Sequence, residues 1–322
     1  MMTTPRSEPS AVLRDPALDA EFHEHGLVTM PFLDPDEVAQ LRAAYAEIAP
    51  SDDYGLAIDY MRPDRTFMAR VAALLEPIWA RHFPEVFVDR RPILTTFVTK
   101  HPGAQSNMYL HDDRTYVDER HHRAGSLWVP LVDTGPDLDN GQLFAIPGSH
   151  RFARAMSGTG TDDLFRPFAA ALEPYLVGLT VPAGHAAFYD SRTLHTSPPN
   201  LSRERRSAVA CAVVPVGAQL VHIVATSERH RLVHGVDDDF FLDIHPHTID
   251  ATLADRYPVL DEFDDDSTLT IEDIVAVLGP PPPSSSAVRS EALAAAGSTP
   301  ITTGGARSLA RRVASWRPPA RH

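Results

Sequence analysis

The texture of the chain after Pro84 most constrains its fold. Apolar runs of five to nine residues alternate with clusters of Gly, Pro, Asp and Asn: 92–100 (PILTTFVTK), 107–112, 125–133 (GSLWVPLVD), 141–147 (GQLFAIP), 177–181, 185–190, 207–215 and 218–226. Runs this short, punctuated this often, predict an antiparallel sandwich or barrel. One helix is expected to interrupt them around 162–174. The fold class is therefore mainly β, behind a helical front cover.

That cover is written in the first hundred residues. Residues 17–25 (ALDAEFHEH) and 35–48 (PDEVAQLRAAYAEI) read as helices, with Asp34 placed to cap the second and Pro35 in its first turn. Gly26 stops the first helix, and Leu27–Leu33 supplies a short strand. From Asp64 to Phe83 the positions Phe67, Val71, Leu74, Leu75, Ile78 and Trp79 recur at helical spacing, a stripe that predicts core packing.

Composition narrows the partners. The 43 acidic side chains exceed the 29 basic ones and give a formal charge of −14, so a polyanion or an anionic membrane would be repelled on average. A lone cysteine, Cys211, excludes an internal disulfide and a thiolate metal cluster, and is expected to be a small buried hydrophobe. The start of the chain lacks a signal-peptide core, and no apolar stretch is of membrane-spanning length. A cytoplasmic protein acting on a small molecule is the expectation. The 261–273 stretch holds seven acidic residues, GPPPPSSS follows at 279–286, and 287–322 carries six Arg against one Glu. We expect a domain over 1–260 (cover 17–83, β core 86–245), an acidic segment at 261–278, and a disordered Pro/Ser/Arg-rich tail at 279–322.

The chemistry-bearing signal is His111-Asp112-Asp113, directly after the predicted strand Asn107–Leu110. Alternation puts His111 and Asp113 on one face and turns Asp112 away. A third imidazole from a distant strand would complete a 2-His-1-carboxylate face, and His195, after the strand His185–Asp190, is the candidate. Such a set holds Fe(II) and leaves the opposite face open to a chelating co-substrate and dioxygen. A carboxylate at 113, where Ala or Gly would admit a halide, argues for hydroxylation over halogenation. Arg206, eleven residues after His195, could clamp a carboxylate, with Ser197 adding a hydroxyl, although Arg203 and Arg205 compete for that role. No catalytic side chain beyond the metal ligands is predicted.

Taken together, LHDDRTYVDE (110–119), SLWVPLVDT (126–134), NGQLFAIPGSHRF (140–152) and HTSPPNLSRERRSAV (195–209) resemble the phytanoyl-CoA dioxygenase family of Fe(II)/2-oxoglutarate-dependent oxygenases. The resemblance spans roughly residues 17–245. It implies a double-stranded β-helix (jelly-roll, cupin-like) core, His111, Asp113 and His195 as iron ligands, and Arg206 with Ser197 on the distal carboxylate of 2-oxoglutarate. It also makes Lys100, the only lysine in the chain, a candidate for contact with the co-substrate. His185 stands where the family often has Asp after its P-x-G turn, and is expected to add an imidazole near the site.

Other motif-like features are read as structure. The 140–150 hairpin is expected to be scaffold, and Trp128 core or pocket wall. His121, His122, His230, His234, His245 and His247 are expected to be solvated. Many bacterial members of the family act in secondary metabolism or on compatible solutes, and the Arg-for-Lys, Ala/Pro-rich usage fits a high-GC bacterium. Two rival readings are a cupin-like metalloenzyme that does not use 2-oxoglutarate, and a non-catalytic binding protein on the same fold. Succinate formation and metal content separate them. Walls of the substrate pocket are expected from 51–62, 114–124 and 227–248.

Overall fold

The computed structural model describes residues 11–50, 53–62, 64–243 and 253–281. The chain opens with α1 (Pro16–His25), β1 (Leu27–Pro31), α2 (Pro35–Ile48), β2 (Leu56–Ile58) and α3 (Arg65–Val86). It continues through β3 (Arg90–Lys100), β4 (Met108–His111), β5 (Gly125–Pro130), β6 (Leu143–Ala145), α4 (Ala169–Leu172) and β7 (Val177–Leu179). Then come β8 (His185–Asp190), β9 (His195–Ser197), β10 (Arg206–Pro215), β11 (Leu220–Ala225) and β12 (His230–Val236). The last elements are α5 (Asp238–Asp243), α6 (Leu253–Arg256), β13 (Val259–Asp264) and α7 (Ile271–Leu278).

Two antiparallel sheets make the double-stranded β-helix: a six-stranded one, ordered β1-β8-β5-β10-β3-β2, and a four-stranded one, ordered β4-β9-β6-β7. A third sheet, β11-β12-β13, extends the core. β10 is the spine of the large sheet, pairing with β3 on one side and β5 on the other. Its sequence explains why a cavity exists. Val209, Cys211 and Val213 belong to the core shared with the helices, whereas Ala208 and Ala210 pack toward the smaller sheet and Ala210 and Ala212 line the cavity, which Cys211 also reaches at the bulge. Small side chains on that inner face leave space that larger ones would fill.

The helical cover forms as its sequence requires. Asp15 and Asp34 accept backbone N–H groups at the starts of α1 and α2, and Asp34 and Glu37 make a reciprocal capping box. Phe67, Val71, Leu75 and Trp79 of α3 are buried against the large sheet, with Leu74 and Ile78 partly so. The predicted helix at 162–174 instead breaks into short 3-10 turns around the four-residue α4, because Pro167 and Pro174 each start a new turn.

The acidic stretch departs from expectation. The boundary at residue 260 falls inside β13, which pairs with β12. α7 buries Ile274 among Leu269, Phe165 and Leu172, while its acidic residues stay on the solvent side. Arg151 and Tyr175 hydrogen-bond to its last carbonyls at Val277 and Gly279. The tail beyond 281 lies outside the described residues, as do His245 and His247. Among the described residues no helix is long and apolar enough to cross a membrane.

Candidate metal and co-substrate site

Strand register brings the ligand candidates together. β4 pairs with β9 so that His111 lies opposite His195, and their ring centroids are 4.2 Å apart. Asp113 follows two residues after His111, its N–H donating to the Ser191 carbonyl at 2.8 Å. One ligand atom from each of His111, Asp113 and His195 lies within 4.8 Å of the others.

The protonation pattern fits a metal. His111 Nδ1 donates to the Tyr109 carbonyl at 2.8 Å, and His195 Nδ1 to the Thr193 carbonyl at 3.0 Å. A carbonyl can only accept, so each ring donates from Nδ1 and turns its Nε2 toward the site, the atom left to bind a metal. Burial, reinforced by His111, lowers the His195 pKa to about 4, so the imidazole is neutral, as a ligand must be. Ser126 Oγ donates to Asp113 Oδ2 and fixes the carboxylate with Oδ1 toward His195 Nε2, 4.0 Å away. Tyr189 packs on the His195 ring at 4.6 Å. Two imidazoles held by Nδ1 and one oriented carboxylate are a donor set suited to Fe(II).

The same cavity, about 150 Å³, contains Arg206, Ser197 and Lys100. Arg206 opens β10 and is 2% exposed, whereas Arg203 and Arg205 lie before the strand and are exposed, so burial selects one arginine of the three. Its guanidinium lies over Trp128 at 5.1 Å, donates from Nη2 to the Gly141 carbonyl at 3.0 Å, and has a buried Nη1 with no partner among the described residues. Burial lowers its pKa to about 9, still well above neutrality. A buried cation with an unspent donor fits an incoming carboxylate.

Lys100 occupies the predicted place with its hydrogens already committed. Nζ donates to the carbonyls of Ser106 (2.6 Å), Ser197 (2.8 Å) and Pro198 (2.6 Å). An ammonium has three hydrogens, so none remains for a co-substrate. Burial and the neighbouring Arg206 push its pKa well down, while the three acceptors favour the charged form. The side chain ties the 104–106 turn to the end of β9. Gly141 makes room for it: at φ +79°, a Cβ there would sit 2.6 Å from Lys100 Cδ.

Several functional contacts escaped the sequence reading. The 140–150 hairpin is scaffold in a specific sense, its Gly141 carbonyl accepting from Arg206 Nη2. Asp112 does turn away from the triad, into a pair with Arg154 at 2.6 Å, their side chains 15% and 4% exposed. Arg154 also reaches Glu119 at 3.3 Å, linking the metal-side turn to the 115–119 loop. Leu94 sits at a β-bulge where two residues of β3 face Cys211 alone; its φ of +52° is left-handed and costs roughly 1–2 kcal/mol for a non-glycine residue.

Two histidine expectations are corrected. His185, four residues up β8 from Tyr189, is not among the residues lining the cavity. His234 is 3% exposed and bonded to the Tyr257 carbonyl, not solvated, because β12 is sandwiched between β11 and β13.

The phytanoyl-CoA dioxygenase (PhyH) family model matches residues 22–208, more than half of the chain. The chain belongs to the phytanoyl-CoA dioxygenase family. A phytanoyl-CoA dioxygenase of Arabidopsis thaliana is 31% identical over 133 residues, 39% of this chain and 45% of that one, so this chain spans under half the relative's length. Solved structures similar to this chain include the epimerase SnoN with Fe3+, alpha-ketoglutarate and nogalamycin RO (20% identical, 63% of this chain and 84% of that one, TM-score 0.46). The carbocyclase SnoK from nogalamycin biosynthesis is 19% identical over 77% of this chain and 96% of that one, with a TM-score of 0.47. EvdO2 from Micromonospora carbonacea var. aurantiaca, complexed with 2-oxoglutarate, is 22% identical over 65% of this chain and 94% of that one, with a TM-score of 0.44.

Proposed function

We propose that this protein is an Fe(II)/2-oxoglutarate-dependent dioxygenase that hydroxylates an unactivated carbon of a small molecule. The observation that carries the reading is the unpartnered Nη1 of fully buried Arg206, in the same cavity as two imidazoles whose Nε2 atoms converge on a carboxylate. His111, Asp113 and His195 are the ligands. Arg206 and Ser197 receive the distal carboxylate of 2-oxoglutarate, and Lys100 acts behind them by holding the Ser197 segment in place.

Bound iron, with 2-oxoglutarate and dioxygen, supplies the power to insert one oxygen atom into a C–H bond while the other ends in succinate, with CO₂ released. The chain's own residues do the rest. The Nδ1–H bonds of both histidines and the Ser126 hydroxyl fix the three donors before any ligand arrives. Trp128 and the inner alanines of β10 exclude water around Arg206, which strengthens its pairing with an anion. The Gly141 carbonyl takes one guanidinium edge and leaves the other for the co-substrate. Secondary metabolism of a high-GC bacterium is the biological setting that the composition fits.

The test is succinate release from 2-oxoglutarate by the iron-loaded protein under air. We expect oxygen- and iron-dependent succinate from the wild type and none from His195→Ala. An iron-loaded wild type that oxidises substrate without forming succinate would favour the cupin-like alternative.

A further inference from the structure

The metal-side cavity does not end at the metal. Three of its lining residues, Tyr60, Leu94 and Tyr116, also line an adjoining lobe of about 40 Å³ completed by Arg114, Thr115, His222, Phe240 and Phe241. That lobe is built of rings. Tyr116 meets Phe241 edge-on at 5.8 Å, Phe241 meets Phe240 edge-on at 5.1 Å, and His222 lies 4.7 Å from Phe240. The His222 Nε2 pairs with Thr159 Oγ1 at 3.0 Å. Across both linings Asp113 is the sole carboxylate among the described residues, and on the proposed reading it is spent on the metal.

Leu94 stands at the junction. Leu94 continues the cavity-facing series Lys100, Val98 and Thr96 of β3 and lines both spaces, and the bulge opposite Cys211 with its left-handed backbone falls at this position. Bulges and strained backbone of this kind cluster where a side chain must be aimed. If 2-oxoglutarate runs from Arg206 to the metal, it fills the inner end, and the substrate is left the outer end and the aromatic lobe.

We propose that the lobe is the specificity part of the substrate site, that it takes the edge of a flat aromatic ring system, neutral or weakly acidic, whose body lies in the metal-side cavity, and that Leu94 sets how wide a ring can pass toward the metal. Aromatic walls favour a ring over a flexible chain through edge-to-face and stacked contacts. An alkylammonium substrate would find no counter-charge there. This proposal rests on the reading of Arg206 as the 2-oxoglutarate anchor, and its test separates the two.

The Mn(II)-loaded full chain is first titrated with 2-oxoglutarate. Absence of binding at that step contradicts the functional reading and not the lobe. The saturated complex is then titrated with 2-naphthol and with 1-decanol. We expect 2-naphthol to bind at least tenfold tighter. Phe241→Ala and Leu94→Phe should each weaken 2-naphthol at least fivefold and leave 2-oxoglutarate affinity unchanged. Leu94→Gly, which suits the left-handed backbone, should keep 2-naphthol and bind the three-ring 2-anthrol at least fivefold better than the wild type does. Should Leu94→Phe not fold, Phe241→Ala and Leu94→Gly decide the matter. Decanol binding as tightly as naphthol, or the folded variants binding both rings as the wild type does, overturns the proposal.

Discussion

The inner and outer ends of the cavity are built on opposite principles. At the inner end the ligand and anchor side chains are held by hydrogen bonds, with Arg206 Nη1 left unspent: the two histidines by carbonyls, Asp113 by Ser126, Arg206 by Gly141 and Lys100 by three carbonyls. At the outer end Tyr60, Leu94, Tyr116, Phe240 and Phe241 offer shape and rings and few hydrogen bonds. Chemistry needs donors held in one geometry, which a few residues at set spacing on two strands can supply. Selectivity needs a shape, and this one is assembled from segments nearly two hundred residues apart.

The contrast can be broken most severely at the triad. Asp113→Ala or His195→Ala removes one of three ligands, and we expect turnover to fall at least a hundredfold with loss of bound iron, by metal analysis and succinate assay. The melting temperature of the metal-free protein should stay close to that of the wild type. A variant keeping near-wild-type turnover would show that the triad is misassigned.

A step further from the metal, Arg154→Met strands Asp112 without its cation. Breaking a buried pair from one side costs about 3–5 kcal/mol, less whatever protonation of the carboxyl recovers. Burial already raises the Asp112 pKa to about 6, so that recovery should be visible as a smaller defect at pH 5.5 than at pH 8. Thermal denaturation at the two pH values measures it. An unchanged melting temperature at both would mean that the pair holds nothing.

Arg206→Gln should cost roughly 1.5–3 kcal/mol of co-substrate binding, a ten- to hundredfold rise in the 2-oxoglutarate requirement. Exposed Arg205→Gln should change it less than twofold. A larger effect at Arg205 would mean that β10 presents its other face to the cavity.

The smallest effect concerns the outer end. Burial, with Arg114 and His234 adding to it, lowers the His222 pKa from 6.5 to about 3. A histidine depressed in the folded state costs nothing above pH 6.5, but below it the unfolded chain binds the proton first. Stability should therefore fall as pH drops from 6.5 toward 3. Asp59, raised by burial from 3.8 to about 6, works oppositely, its contribution being lost as pH rises through that window. We expect His222→Gln to flatten the decline by about 2–4 °C per pH unit between 6.5 and 5. An unchanged slope would show that His222 is hydrated.

The inner end was largely legible because its signals are local: an H-x-D after a strand, a distant His, and an Arg at a fixed offset. The outer end was legible only as segments. Residues 51–62 supply Leu56, Ile58 and Tyr60, 114–124 supply Tyr116, and 227–248 supply Phe240 and Phe241, but no local pattern told which side chains would turn inward. A bulge at Leu94 has no glycine to announce it. β9 escaped notice as a strand because His-Thr-Ser is short and polar, and β13 because its acidic side chains hide the alternation that pairs it. The Ala-Val alternation of β10 was readable and marks the cavity face, a signal that the apolar-run criterion overlooks.

The account's central claim is that one cavity holds a metal and, through Arg206, 2-oxoglutarate. The most direct test is a calorimetric titration of 2-oxoglutarate into the wild-type protein with and without Mn(II). Chelation and the arginine clamp acting together predict saturable one-to-one binding that weakens at least tenfold when the metal is left out. Binding of equal strength without metal, or no binding with metal present, would contradict it.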